Sequence, residues 1–232
     1  MRFIFLLILT IVKLDAQVHP NFEITYTNYV LYKNIDSLKL ENEFKKAFIK
    51  ETSKRKYFNL HFINNKSEFI EIPKINNDTQ GNITFSAQSI QKRIIKNHDE
   101  ETILYEVNFP KKMFVEDSLS NLKWKINKEV SDTVLNFITY KATLDYNNEE
   151  IIALYTPKIP IPEGPSTFYG LPGLILRLEI HRGNEIHIFE IEKIEKLTDK
   201  LPIIKINKNK IITVEEYKVL MDEFQNKLND YK

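Results

Sequence analysis

The sequence predicts an α+β fold dominated by β: a curved antiparallel sheet, half-barrel-like, of about eight to ten strands with a C-terminal amphipathic helix packed on it. Three observations lead there. Short runs rich in Val, Ile, Thr, Phe and Tyr recur along the chain, several alternating apolar with polar residues. Asparagine and glycine pairs such as Asn147-Asn148 and Gly183-Asn184 punctuate them as hairpin turns do. Helical spacing shows in only two places, residues 40–48 and the C-terminal end. An open barrel-like sheet wrapped on the terminal helix meets these constraints.

Taken in order, residues 1–17 read as a secretory signal. Arg2 precedes an apolar run from Phe3 to Val12, about half the roughly 20 residues a membrane-spanning helix needs. Cleavage after Ala16 leaves Gln17 first, a single β-rich domain over 17–232 and no transmembrane segment; retention of the run as an anchor is the alternative. Soluble export to the periplasm or beyond is the expected location. Without cysteine, a lipid-anchored terminus, disulfides, cysteine nucleophiles and thiolate metal sites are all excluded. A domain of this length buries about 70% of its extended-chain surface and needs no covalent staple. The net charge of +1 offers no basic field for nucleic acid.

Residues 22–32 read as a strand and residues 40–48 as a helix with Leu40, Phe44, Ala47 and Phe48 on one side. Residues 57–63 and 69–72 form a hairpin about Asn64-Asn65-Lys66. Residues 73–100 are polar and read as a long loop, whose Asn77 and Asn82 sequons signal exposure. Strands are predicted over 103–115, 123–126, 137–146 and 150–155. In the next hairpin, a two-residue loop at Gly183-Asn184 sets Arg182 opposite Glu185, Ile180 opposite His187 and Leu178 opposite Phe189. That register gathers the large apolar side chains on one face and sets Arg177 against Glu190; a one-residue slip would invert the faces. Residues 205–212 are mixed in pattern and read as a final short strand. Thr213-Val214-Glu215-Glu216 is a capping box opening a helix with Tyr217, Leu220, Met221, Phe224 and Leu228 in one stripe.

The most heavily punctuated stretch is 156–179, which holds five of the nine prolines and three of the five glycines. Pro157, Pro160, Pro162 and Pro165 exclude a helix or a central strand. Gly164-Pro165 and Gly170-Leu171-Pro172-Gly173 read as turns, and Leu174-Ile175 starts the next strand. This stiff connector is expected to close one end or edge of the sheet, its motif residues serving the backbone and not a ligand.

Gly170-Leu171-Pro172-Gly173-Leu174-Ile175 spells the signature of the GLPGLI family of exported proteins from Gram-negative bacteria, which this chain resembles over residues 122–195. The resemblance includes the Trp124 strand, Asn136-Phe137-Ile138-Thr139-Tyr140-Lys141-Ala142, Tyr155-Thr156-Pro157-Lys158-Ile159-Pro160, and Gly164-Pro165 with Phe168. Asn136 stands for a glycine, Thr139 for a frequent cysteine and Leu154 for a frequent tryptophan. The resemblance implies an exported envelope protein and no established activity.

Catalytic motifs are missing. The five histidines have no metal-site spacing, and His181 and His187 fall on opposite faces of their hairpin. Ser166 in Gly164-Pro165-Ser166-Thr167-Phe168 lacks the second glycine of a nucleophile elbow. No glycine-rich phosphate loop exists, so no cofactor or metal is expected and no catalytic residue is nominated. Trp124 reads as a sheet anchor or a ligand-stacking surface. Phe168 and Tyr169 form an exposed lip or tuck the connector onto the sheet. The leading expectation is a non-enzymatic binding or interaction module for an apolar small molecule or an envelope protein. An envelope hydrolase built on an unassigned carboxylate pair is the alternative.

Overall fold

The computed structural model describes residues 21–34, 41–73, 93–197, 206 and 210–229. The signal-like leader, His19, both sequons and residue 205 lie outside the described residues. The elements are β1 (Asn21–Tyr32), α1 (Asn42–Thr52), β2 (Lys56–Ile63), β3 (Lys66–Ile72), β4 (Arg93–Asn97), β5 (Thr102–Val107), β6 (Met113–Ser118), β7 (Lys125–Val134), β8 (Phe137–Tyr146), β9 (Glu149–Thr156), β10 (Leu174–Arg182), β11 (Glu185–Leu197), β12 (Ile211–Thr213) and α2 (Val214–Asn229). The β-dominated α+β class is the one the sequence predicts. All the strands join one 12-stranded sheet, ordered β12-β6-β5-β4-β3-β2-β1-β11-β10-β9-β8-β7. Every pairing is antiparallel except β12 on β6, which is parallel.

Chain length dictates the curvature. Ten strand spacings separate β6 from β7 in the sheet, about 48 Å if it were flat at about 4.8 Å per strand. Residues 119–124 alone connect the two strands, and six residues reach at most about 25 Å. The sheet must therefore roll until its ends approach one another.

Turn chemistry fits the hairpins. Asn64 and Asn65 both have positive φ, as do Leu135 and Asn136, and Asn147 and Asn148, the backbone that two-residue hairpin loops require. Asparagine tolerates this region, which accounts for Asn136 where the resembled family has glycine. The β10–β11 register is the predicted one, with Arg182↔Glu185, Ile180↔His187, Leu178↔Phe189 and Arg177↔Glu190. The capping box also forms: the Thr213 amide donates to Glu216 Oε2 at 2.7 Å and the Glu216 amide to Thr213 Oγ1 at 3.2 Å.

Three expectations are corrected. Residues 93–97, read as loop, form β4. Residues 103–115, read as one strand, are β5 and β6 joined by a turn containing Pro110. The third concerns the sheet's interior. It is filled by the proline-rich connector, whose Ile159, Ile161, Phe168 and Leu171 are buried in the central cluster with Phe58, Phe69 and Phe189. Helix α2 packs on the sheet as predicted, but at β6 and β12 and not within its interior. There Phe224 meets Phe109 edge-on at 4.6 Å, and Tyr217 donates to the Phe109 carbonyl. Two strands cover only part of a helix, so Tyr217, Leu220, Met221 and Phe224 are half-buried; the side chain of Leu228 lies outside the described residues.

Candidate functional site: a buried ion pair beneath an aromatic rim

The connector enters the sheet because its prolines fold it into successive tight turns. The Ile161 amide donates to Ile159 O and the Glu163 amide to Ile161 O, both at 2.8 Å, and the Gly173 amide donates to Leu171 O at 2.7 Å. Each bond skips one residue, and the skipped residue is Pro160, Pro162 or Pro172. Proline's fixed φ lies close to that of an inverse γ-turn. The chain therefore alternates, burying Ile159, Ile161 and Glu163 while Pro160 stays exposed. Leu174 N→Ile159 O and Ile175 N→Glu163 O tie the connector to the start of β10.

The motif residues serve this packing. Gly164 lies against Ile175, whose Cδ1 would stand 2.6 Å from a Cβ at Gly164. Gly173 has φ +152°, and a Cβ there would fall 2.6 Å from the Thr156 carbonyl carbon and 2.8 Å from Pro157 Cα. Pro165, Leu171, Leu174 and Ile175 are buried, whereas Gly170 and Pro172 are exposed.

Glu163 is the buried charge at this site that sequence reasoning did not nominate. It has no exposed surface, and its Oε2 lies 2.5 Å from Lys96 Nζ, which is equally buried. Strand alternation puts Lys96 on the inner face of β4, between Ser67 of β3 and Ile103 of β5. Lys96 also reaches the Gly164 carbonyl at 3.5 Å and stands 5.5 Å over the Tyr169 ring. The other Glu163 oxygen meets His98 Nε2, whose ring packs edge-on against Tyr169 at 5.5 Å. Burial pulls the Glu163 carboxyl upward, but the Lys96 charge and the His98 hydrogen bond outweigh it and hold the carboxyl below its ordinary value. The glutamate is thus a carboxylate with both oxygens engaged by cationic or hydrogen-bonding partners. Among the described residues it contacts no second carboxylate.

Above this pair lies an aromatic rim drawn from four segments. Trp124, on the β6–β7 link, donates its indole N–H to the Tyr169 carbonyl at 2.8 Å and meets Phe168 at 6.3 Å. Phe168 is tucked in at 4% exposure and also meets Tyr146, at the end of β8, at 6.2 Å. The Tyr169 hydroxyl donates to the Ser120 carbonyl. Tyr105 of β5 completes the rim. Burial foremost, with the Asp117 charge and its neighbours Tyr146 and Tyr169, pushes the Tyr105 phenol up to about 12; burial and then Glu163 do the same to Tyr169. These rings remain neutral hydrogen-bond donors across the physiological range.

The three expected contact residues, Trp124, Phe168 and Tyr169, therefore sit together. Lys96, His98, Tyr105 and Tyr146 join them only through the fold. The available signal was Glu163 itself, a lone carboxylate between Pro162 and Gly164, and the alternation of Ile94, Lys96 and His98. Among the described residues no group of three or more His, Asp or Glu side chains is arranged to hold a metal. No described helix is long and apolar enough to cross a membrane.

Among curated proteins none matches the chain in sequence. Among solved structures it is similar to PNGF-II. In the C2 crystal form the TM-score is 0.55 at 16% identity, covering 86% of this chain and 32% of PNGF-II. In the P21 form the TM-score is 0.53 at the same identity and coverage. The chain spans about a third of that protein's length, and at this identity the likeness is one of fold. A family model described as "Protein of unknown function (Porph_ging)" matches residues 39–177, a span that contains Lys96, His98, Trp124 and Glu163. The chain belongs to this Porph_ging family of proteins of unknown function.

Proposed function

We propose that the protein is an exported cell-envelope protein acting as a non-enzymatic binding or interaction module, akin to the GLPGLI proteins whose signature it carries at 170–175. The observation that carries the reading is the state of the interior. The connector occupies it, and the connector's buried Glu163 carboxylate is held by Lys96 and His98, so the chain's polar interior maintains structure and its half-buried aromatic rim meets ligand. That favours a ligand or partner docked at the rim over an apolar molecule carried inside the sheet. A fold that also accounts for about a third of a longer protein suits a module. Native mass spectrometry of residues 17–232 purified from the periplasm tests the reading. A retained ligand or partner supports it; a bare chain with no crosslinked neighbour removes it. N-terminal sequencing of the same material tests export, with Gln17 as the expected first residue.

A hydrolytic alternative draws on one contact. A histidine oriented by a buried carboxylate is the arrangement of a general base, and His98 retains 14% side-chain exposure. It requires turnover of some chromogenic ester, glycoside or phosphoester that His98→Gln abolishes. Equal rates for both proteins would remove it.

A further inference from the structure

We propose that the tyrosine rim binds a guanidinium or ammonium side chain of a partner protein, a site that rests on the binding-module reading and gives it a ligand chemistry.

Three features converge at one place. The first is a set of π faces. Tyr105, Tyr146, Tyr169 and Trp124 are each half-buried, so their rings are held by packing yet reach solvent. Aromatic faces attract organic cations within about 6 Å, most strongly where water is partly excluded. The rim already does this once, since Lys96 Nζ stands over the inner side of the Tyr169 ring at 5.5 Å.

The second is uncompensated negative charge. Asp117 pairs across the sheet with Ile103, and alternation puts it on the inner face, diagonal to Tyr105. Glu101 closes the β4–β5 turn, and its carbonyl accepts from the Leu119 amide, next to Ser120, whose carbonyl takes the Tyr169 hydroxyl. Both are exposed, and neither has a cationic partner among the described residues, whereas Lys96 is already matched by Glu163. The two carboxylates therefore neighbour phenols that stay neutral, leaving a site that is negative and aromatic together.

The third is spare hydrogen bonding. Among the described residues neither the Tyr105 nor the Tyr146 hydroxyl has a hydrogen-bond partner, unlike that of Tyr169. A planar guanidinium stacks on such rings while its N–H groups reach carboxylate and phenol oxygens. The rim's residues reach solvent and its acidic groups come from separate elements, Asp117 from β6 and Glu101 from the β4–β5 turn. That suits a side chain presented on a peptide segment better than an enclosed small amine.

Trp124 is the chain's single tryptophan and sits in the rim, so its emission reports occupancy directly. The test titrates mature protein with an acetylated Gly-Arg-Gly amide and with its citrulline counterpart, which keeps the shape and loses the charge. The expected result is a saturable change with the arginine peptide only. Added salt should weaken it, and Tyr105→Leu should weaken it about tenfold, the scale of one partly desolvated cation–π contact. Asp117→Asn, at an exposed position with no core contact to lose, should weaken it severalfold with near-ultraviolet dichroism unchanged. An equal response to the citrulline peptide, or none to either, overturns the proposal. So does displacement by choline chloride at lower concentrations than the peptide, which would assign the site to a small amine. Retention of some other ligand in the native mass spectrum, with no arginine response, would overturn this site while leaving the module reading intact.

Discussion

Lys96 Nζ and Glu163 Oε2 lie 2.5 Å apart, and neither residue exposes any surface. One belongs to β4 and the other to the connector, so the contact fastens an irregular segment to the sheet that surrounds it. A buried pair gains little over a well-packed apolar pair, but removing one partner strands the other charge away from water. Lys96→Met and Glu163→Leu should each cost about 3–5 kcal/mol, by analogy with broken buried pairs. The double variant should recover much of that loss. Urea unfolding of the three variants measures the coupling, and additive losses would contradict it.

The same pair sets an acid limit. The Glu163 carboxyl is held below its ordinary value, so its contribution is fully present above the unfolded carboxyl pKa of about 4.3. It is lost as pH falls through the lower folded value. Wild type should lose stability over that interval more steeply than the double variant, which lacks the group. Parallel acid-unfolding curves would refute this.

A second titration, on the opposite face of the sheet, runs the other way. His61 Nε2 lies 3.0 Å from Glu23 and its Nδ1 3.7 Å from Glu68. Glu68 first, then Glu23, raises the imidazole against the opposing pull of burial. A raised pKa contributes stability that is complete below the unfolded value of about 6.5 and lost as pH rises through the folded one. His61→Gln should therefore destabilise more in mildly acidic than in alkaline buffer. A penalty independent of pH would show that the histidine acts through packing alone.

Two glycines of the motif should respond differently. Gly173→Val combines an unfavourable φ with collision against Thr156 and Pro157 backbone, and should cost more than about 3 kcal/mol, the upper range for one strained residue. Gly170→Ala has positive φ but open space around it, so only the conformational cost of about 1–2 kcal/mol applies. Equal melting temperatures for the two variants would contradict the geometry.

The strands were legible wherever local rules fix them. Alternation and a two-residue turn determine the β10–β11 register, and a reciprocal pair of short-range bonds determines the start of α2. β4 was hidden because five residues after a long polar run give too little periodicity, and Lys96 on an inner face looks like a surface residue. Continuous β-formers concealed the turn between β5 and β6. The site failed for a different reason: His98 and Glu163 are 65 residues apart, and their meeting depends on the whole sheet rolling around the connector. The prolines announced a stiff segment, but proline-rich segments usually run over the surface. Only the alternation of Ile159, Ile161 and Glu163 hinted that one side of it is inward.

Everything above depends on this connector being core and not surface loop. Native-state hydrogen exchange of the Ile161, Glu163, Gly170, Gly173 and Ile175 amides tests it most directly, since all five donate to backbone carbonyls within or beside the connector. Exchange is expected only through global unfolding, as slow as that of the central strands β1 and β10. Exchange through a low-energy local opening, with those strands still protected, would contradict it.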